Sequence, residues 1–129
     1  MHDLTLVGPF WTRAETAGYL GIEPGELLGR RDVLRIGGRW LEETYPALQF
    51  DGHDVIPAVA AIVELLRDAA AGAIIADWLC RPNPALGSLA PIAWCRSGGN
   101  TRTLLQVATA DAPRLGRAGA DPVPLTAAG

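Results

Sequence analysis

Lysine is absent from this chain. All eleven basic residues among the 129 are arginine, against fourteen acidic ones, for a formal net charge of −3. That balance argues against indiscriminate coating of nucleic acid, which needs an excess of positive charge, while leaving room for a local basic face. Together with abundant alanine and glycine it points to a GC-rich bacterial genome. Histidine is scarce too: His2 is near the terminus, and His53 lies beside Asp51 and Asp54 in a turn-forming stretch, where a solvated loop is the plain reading. Cys80 and Cys95 have neither CxxC spacing nor a neighbouring histidine pair, which argues against a zinc site; in a reducing cytosol both read as small buried hydrophobes. No GxxxxGK sequence cradles a phosphate, and Gly98-Gly99-Asn100 alone is a turn. Glu42 and Glu43 are adjacent on an expected strand, so their carboxylates point to opposite faces and make no catalytic pair. The expectation is a protein without catalytic machinery, metal or cofactor that works by binding a macromolecule.

Long apolar runs are missing as well. Val55 to Ile75 is interrupted by Glu64, Arg67 and Asp68, so no stretch of about 18 uncharged apolar residues can cross a membrane. Met1-His2-Asp3 opens without the basic and apolar regions of a secretory signal, and the expected location is the cytosol.

What is present is an ordinary globular balance, 49% hydrophobic and 19% charged, in a length that holds one compact domain or two very small ones. Thr12-Arg13-Ala14-Glu15 has capping-box spacing and predicts a short helix ending at Gly21. Pro24 sits where the first turn of a second helix tolerates it. Val33 to Ile36 and Arg39 to Leu41 flank Gly37-Gly38, which predicts a two-residue hairpin with Leu34 opposite Leu41 and Arg35 opposite Trp40. Pro46 to Asp54, with the turn dipeptide Asp51-Gly52, reads as a hinge between two halves.

Beyond it, Val59, Ile62, Val63 and Leu66 recur at helical spacing from Pro57 to about Ala70. Gly72 interrupts, Ala73 to Cys80 continues with Ile74, Ile75, Trp78 and Leu79, and Pro82 and Pro84 forbid more. Ala90 to Arg96 and Thr101 to Ala110 are two further predicted helices, and Trp78 and Trp94 are expected in the core. Prolines and glycines past Asp111 predict a mobile tail. The expected fold class is mainly α with one β-hairpin: a winged helix-turn-helix-like unit at 1–50, a small helical bundle at 51–112 and a flexible tail at 113–129.

The arginine group Arg30, Arg31, Arg35 and Arg39, with Trp40, falls on the end of the second helix and on the hairpin. In a winged helix-turn-helix those places meet DNA phosphates and groove edges, so these five are the candidate DNA contacts. Such readers usually dimerise on two half-sites, and a homodimer is expected.

The segment Tyr45-Pro46-Ala47-Leu48-Gln49-Phe50-Asp51 and the ordered set Trp78-Leu79, Pro82-Asn83-Pro84, Leu86-Gly87, Pro91-Ile92 and Gly98 resemble the Xre/MbcA/ParS-type antitoxins, over residues 11 to about 110. The resemblance implies an N-terminal part that binds operator DNA and represses its own operon, and a helical C-terminal part that blocks the active site of a RES-domain toxin. Such toxins consume NAD, so the chain itself would hold no cofactor. Trp78, Pro82, Asn83, Leu86, Pro91 and Ile92, with Leu104 and Leu105 of the last predicted helix, are the candidate toxin contacts. Ala93-Trp94 departs from the acidic residue many members carry there, and the segment past Asp111 has no counterpart in the pattern. Two rival readings are a stand-alone helix-turn-helix regulator or phage-like DNA-binding protein without a toxin partner, and a small enzyme or ligand-binding domain.

Overall fold

The structure is a computed structural model and describes residues 9–37 and 43–120. It is mainly helical, with two small antiparallel strand pairs. The largest core lies in the C-terminal part. Helix α3 (Pro57–Leu66) starts on a proline whose missing amide hydrogen costs nothing in a first turn, and it buries Val59, Ile62, Val63 and Leu66 on one face as the spacing predicts. After a tight turn at residues 67–71, α4 (Gly72–Cys80) adds Ile75, Ala76, Trp78 and Leu79 to the same core. Pro84–Leu86 forms a single 3-10 turn, and α5 (Pro91–Arg96) leads to the long closing helix α6 (Thr101–Ala120).

Helix α6 runs well past the expected end near Ala110, straight through Pro113. Packing is the reason. Leu104, Ala108 and Leu115 are buried along one stripe, and Gly116 lies so close to α3's end that a Cβ there would sit 2.9 Å from the Ala69 carbonyl oxygen. That apolar seam outweighs the roughly 3 kcal/mol by which proline disfavours a helix interior. Residues 113–120 of the expected tail are therefore helical, and residues 121–129 lie outside the described residues.

The N-terminal part is built around aromatic rings. Helix α1 (Arg13–Leu20) has both bonds of the predicted capping box, Glu15 N–H to Thr12 Oγ1 at 3.1 Å and Thr12 N–H to Glu15 Oε1 at 2.9 Å, and ends on Gly21 at φ 72°. Helix α2 (Pro24–Leu27) follows as a single turn. Strand β1 (Phe10–Trp11) pairs antiparallel with β2 (Tyr45–Pro46), placing Trp11 opposite Tyr45. Strands β3 (Phe50–Asp51) and β4 (Asp54–Val55) pair through Gly52 and His53, both at positive φ. Trp11 stacks on Phe50 at 5.3 Å, and Tyr19 tilts against both.

A tight two-residue hairpin is found at Gly52-His53, whereas the one expected at Gly37-Gly38 falls partly outside the described residues. Ile36 pairs with Thr44, with reciprocal N–H to O bonds of 2.9 Å, and the connection spans residues 37–43. Leu34 is buried in the C-terminal core and its backbone is held by Gln49, while Leu41, its expected partner, lies outside the described residues. Gly38, Arg39, Trp40, Leu41 and Glu42 lie outside the described residues.

The expected hinge is instead a joint shared by both parts. Gln49 is fully buried; its Oε1 accepts from Leu34 N–H at 2.7 Å, and its Nε2 donates to Leu34 O at 2.9 Å and to Pro46 O at 3.1 Å. The side-chain amide acts as a one-residue strand partner for Leu34. Leu34 belongs to the C-terminal core while Val55 belongs to the aromatic cluster, so the two cores exchange residues across the segment.

Candidate functional site

Three groups of polar side chains stand out, and the described polar members of the predicted site fall in the first two. The first surrounds Asp111 on α6. Its Oδ2 accepts from Trp78 Nε1 at 2.9 Å and from Asn83 Nδ2 at 3.4 Å, and Arg114 pairs with it at 3.4 Å. Arg81 pairs with Asp77 one turn back at 2.9 Å. These residues, with Pro82 and Pro84, line a polar notch of about 270 Å³. Asn83 also accepts from Ala85 N–H at 2.9 Å, closing the 3-10 turn that ends on Gly87 at φ 66°. The ordered motif residues are therefore mostly scaffold. Trp78, Leu86, Pro91 and Leu104 are buried, Trp78 with its edge on the notch. Ile92 and Leu105 are half-buried against the core, whereas Pro82 is exposed.

Trp94 has a local duty as well. Its Nε1 donates to Asn100 O at 2.9 Å, and a Cβ on Gly99 would meet the indole at 2.6 Å, so the Gly98-Gly99-Asn100 turn is shaped around the ring. Asn100 Oδ1 then accepts from Thr103 N–H at 2.9 Å at the start of α6. On the outer side of α6, Arg102, Leu105, Gln106, Thr109 and Ala110 form a shallow, mostly apolar strip.

The second group is the arginine set. Arg30 makes a two-pronged bond to Asp32, at 2.7 Å and 2.9 Å, with Asp54 3.9 Å away. The pairing raises the Arg30 pKa and lowers that of Asp32. Arg31 pairs with Asp68 at 3.3 Å on the surface. Arg35 is exposed and lies near the Tyr45 hydroxyl. Arg30 lines a cleft at the α3–α4 corner while Arg35 reaches the Tyr45 hydroxyl and Arg31 pairs with Asp68, so the described members of the set do not share one outward face. Arg39 and Trp40 lie outside the described residues.

The third group escaped the sequence. Glu43 is only 3% exposed and is gripped by Arg13, whose Nε and Nη2 both donate to it, the latter at 3.0 Å; the Tyr45 hydroxyl donates to it at 3.1 Å. The Arg13 guanidinium holds the Glu43 carboxyl down at about 2, while burial, reinforced by Glu43, pushes the Tyr45 phenol up to about 12. Nothing in a Glu-Glu pair on an expected strand marks one of them as an anchor for α1. Gln49, which holds Leu34, stands out in the sequence only as one letter of the Tyr45–Asp51 segment.

His53 is exposed, and it takes part through its backbone: its N–H donates to the Tyr19 hydroxyl at 2.9 Å while its ring meets Tyr19 edge-on. Burial lifts the Cys95 thiol to about 11, which leaves it unreactive at neutral pH. Among the described residues no three His, Cys, Asp or Glu side chains gather closely enough to hold a metal ion, and no helix is long and apolar enough to cross a membrane. Comparison with known protein families, with curated proteins and with solved structures finds no match in any of the three.

Proposed function

We propose that the chain is an antitoxin that neutralises a RES-type, NAD-degrading toxin with its C-terminal helices and represses its own operon. The observation that carries this reading is the use made of the motif residues. Trp78 and Asn83 converge on Asp111, Leu86 fills the core beneath them, and Pro91 starts α5, so the ordered set braces α6 against the bundle. A rigid helix with an outer strip of Leu105, Thr109 and Ala110 and a polar rim of Arg102 and Gln106 has the make-up of a protein-binding surface: an apolar centre on a preformed element. In this reading Leu105, Ile92, Pro82 and Asn83 touch the toxin, and Trp78, Leu86, Pro91 and Leu104 hold the shape.

Operator binding by a homodimer rests on less. Helix α2 has four residues, about 6 Å at the usual rise, which is short for reading a groove. A winged helix-turn-helix contact would then depend on phosphate contacts from Arg31 and from Arg39. The test is co-expression with the product of the neighbouring reading frame. Wild type should restore growth, Leu105→Asp should not, and Arg31→Ala should still neutralise while weakening promoter binding and its salt dependence. A neighbour that is not a RES-type toxin, or growth never restored by the wild type, overturns the proposal.

A further inference from the structure

The cleft lined by Arg30 and by the backbone at Arg35 holds about 390 Å³, within the range of small-molecule sites. It lies between the 30–37 segment and the corner where α3 ends and α4 begins, and Arg67 completes its basic side. None of the described residues that line it is acidic. Arg30 is held by Asp32 through Nε and Nη2, which leaves Nη1 free to donate. Among the described residues, Arg67 has no carboxylate within ion-pair distance. The floor is apolar, with Val33 and Val63 beneath. The first turn of the nine-residue α4, which no side chain caps, opens at Ala71 and Gly72 on the same cleft.

One guanidinium group not consumed by a carboxylate, a second held rigid with a nitrogen still free, and an apolar floor select for a ligand with a doubly charged head and an apolar body. Guanidinium donors match phosphate oxygens in pairs, and first-turn amides add to the same pull. We propose that this cleft binds a small phosphomonoester, its dianionic head between Arg30 and Arg67 and its body over Val33 and Val63. A concave pocket of this size receives a mononucleotide-sized molecule and not the convex backbone of a duplex. The proposal is independent of the antitoxin reading.

Calorimetric titration of the full chain with adenosine monophosphate, adenosine and inorganic phosphate tests it. Short oligonucleotides with and without a 5′-phosphate separate a free metabolite from a nucleic-acid end. The monophosphate should bind, adenosine should not, and Arg67→Ala should weaken binding about tenfold or more, as expected for losing a charge-assisted contact. Arg67→Lys should recover part of it, and Arg102→Ala, on the outer side of α6, should change nothing. Because Arg67→Ala could also disturb the corner, backbone amide shifts of Gly72 and Ala73 on adding the monophosphate to wild type give a reading that needs no variant. Absence of heat and of shifts at millimolar monophosphate overturns the proposal. So does equal binding of adenosine, equal binding by a folded Arg67→Ala variant, or binding of the 5′-phosphorylated oligonucleotide alone.

Discussion

Replacing Gln49 by leucine keeps an apolar stem of similar length and deletes one amide. In the folded protein that amide satisfies one N–H and two carbonyl groups, all buried: Leu34 N–H, Leu34 O and Pro46 O. A stranded buried donor costs about 1 to 3 kcal/mol, and carbonyls, with a second lone pair and more routes to water, cost less. The sum is about 3 to 5 kcal/mol, a large share of the roughly 5 to 15 kcal/mol that holds a domain folded. In urea, with a slope of about 1.5 kcal/mol per molar, the midpoint should fall by about 2 M or more at unchanged slope. Gln106→Leu, on the exposed face of α6, should leave it nearly unmoved. Gln49→Glu sharpens the test. A carboxylate still accepts from Leu34 N–H but faces two carbonyl oxygens, so its folded pKa rises above the unfolded value. The stability present with the protonated form is lost as pH rises through that raised pKa, which makes this variant fare better in acid than at neutrality. A Gln49→Leu loss below about 1 kcal/mol, or a Gln49→Glu variant with the wild-type pH profile, would refute the latch.

Three further outcomes follow from the same geometry. Glu43 has its folded pKa lowered to about 2, so its contribution is complete above the ordinary carboxyl value of 4.5 and is lost as pH falls toward 2. Arg13 is 41% exposed, so solvent screening trims that contribution to about 1 to 2 kcal/mol, and acid titration of Arg13→Ala should show a shallower loss than wild type. Pro113→Ala restores an amide donor in α6 at an exposed position and should raise the melting temperature, by about 1 kcal/mol or more of stability, as followed by circular dichroism. Gly72→Ala should destabilise by about 2 kcal/mol or more, because the new Cβ would lie 2.0 Å from the Arg35 carbonyl oxygen and the backbone must move; an unchanged unfolding midpoint would contradict that close approach.

The parts legible in the sequence are those whose determinants are local. The Thr12-Glu15 capping box, the Gly21 stop and the four buried residues of α3 follow from spacing alone. The misplacements share one cause, which is a distant partner. The hold of Gln49 on Leu34 and the bridge between Ile36 and Thr44 are not marked by any spacing around them. Asp51-Gly52 marked a turn, but nothing local showed that His53 would take the second positive φ, since the Tyr19 hydroxyl that holds its amide is on α1. Pro113 signalled an end to α6 that Leu115 and Gly116 override by docking. Among the site residues, Pro82-Asn83 and Leu105 remain available to a partner, while Asp111 and Glu43 are engaged by partners thirty or more positions away.

The exchange of Leu34 and Val55 between cores bears on how the chain is made. A nascent chain emerges from its N-terminus. Leu34 then reaches solvent well before the residues of α3 and α4 that seat it, and the aromatic cluster waits for Val55. Native packing of the first fifty residues is therefore deferred until the sequence beyond them has been synthesised, and the Val33-Leu34 pair stays available to chaperones in the interval. A cut at the Phe50–Asp51 bond would leave a vacancy on each side, one where Val55 belongs and one where Leu34 belongs.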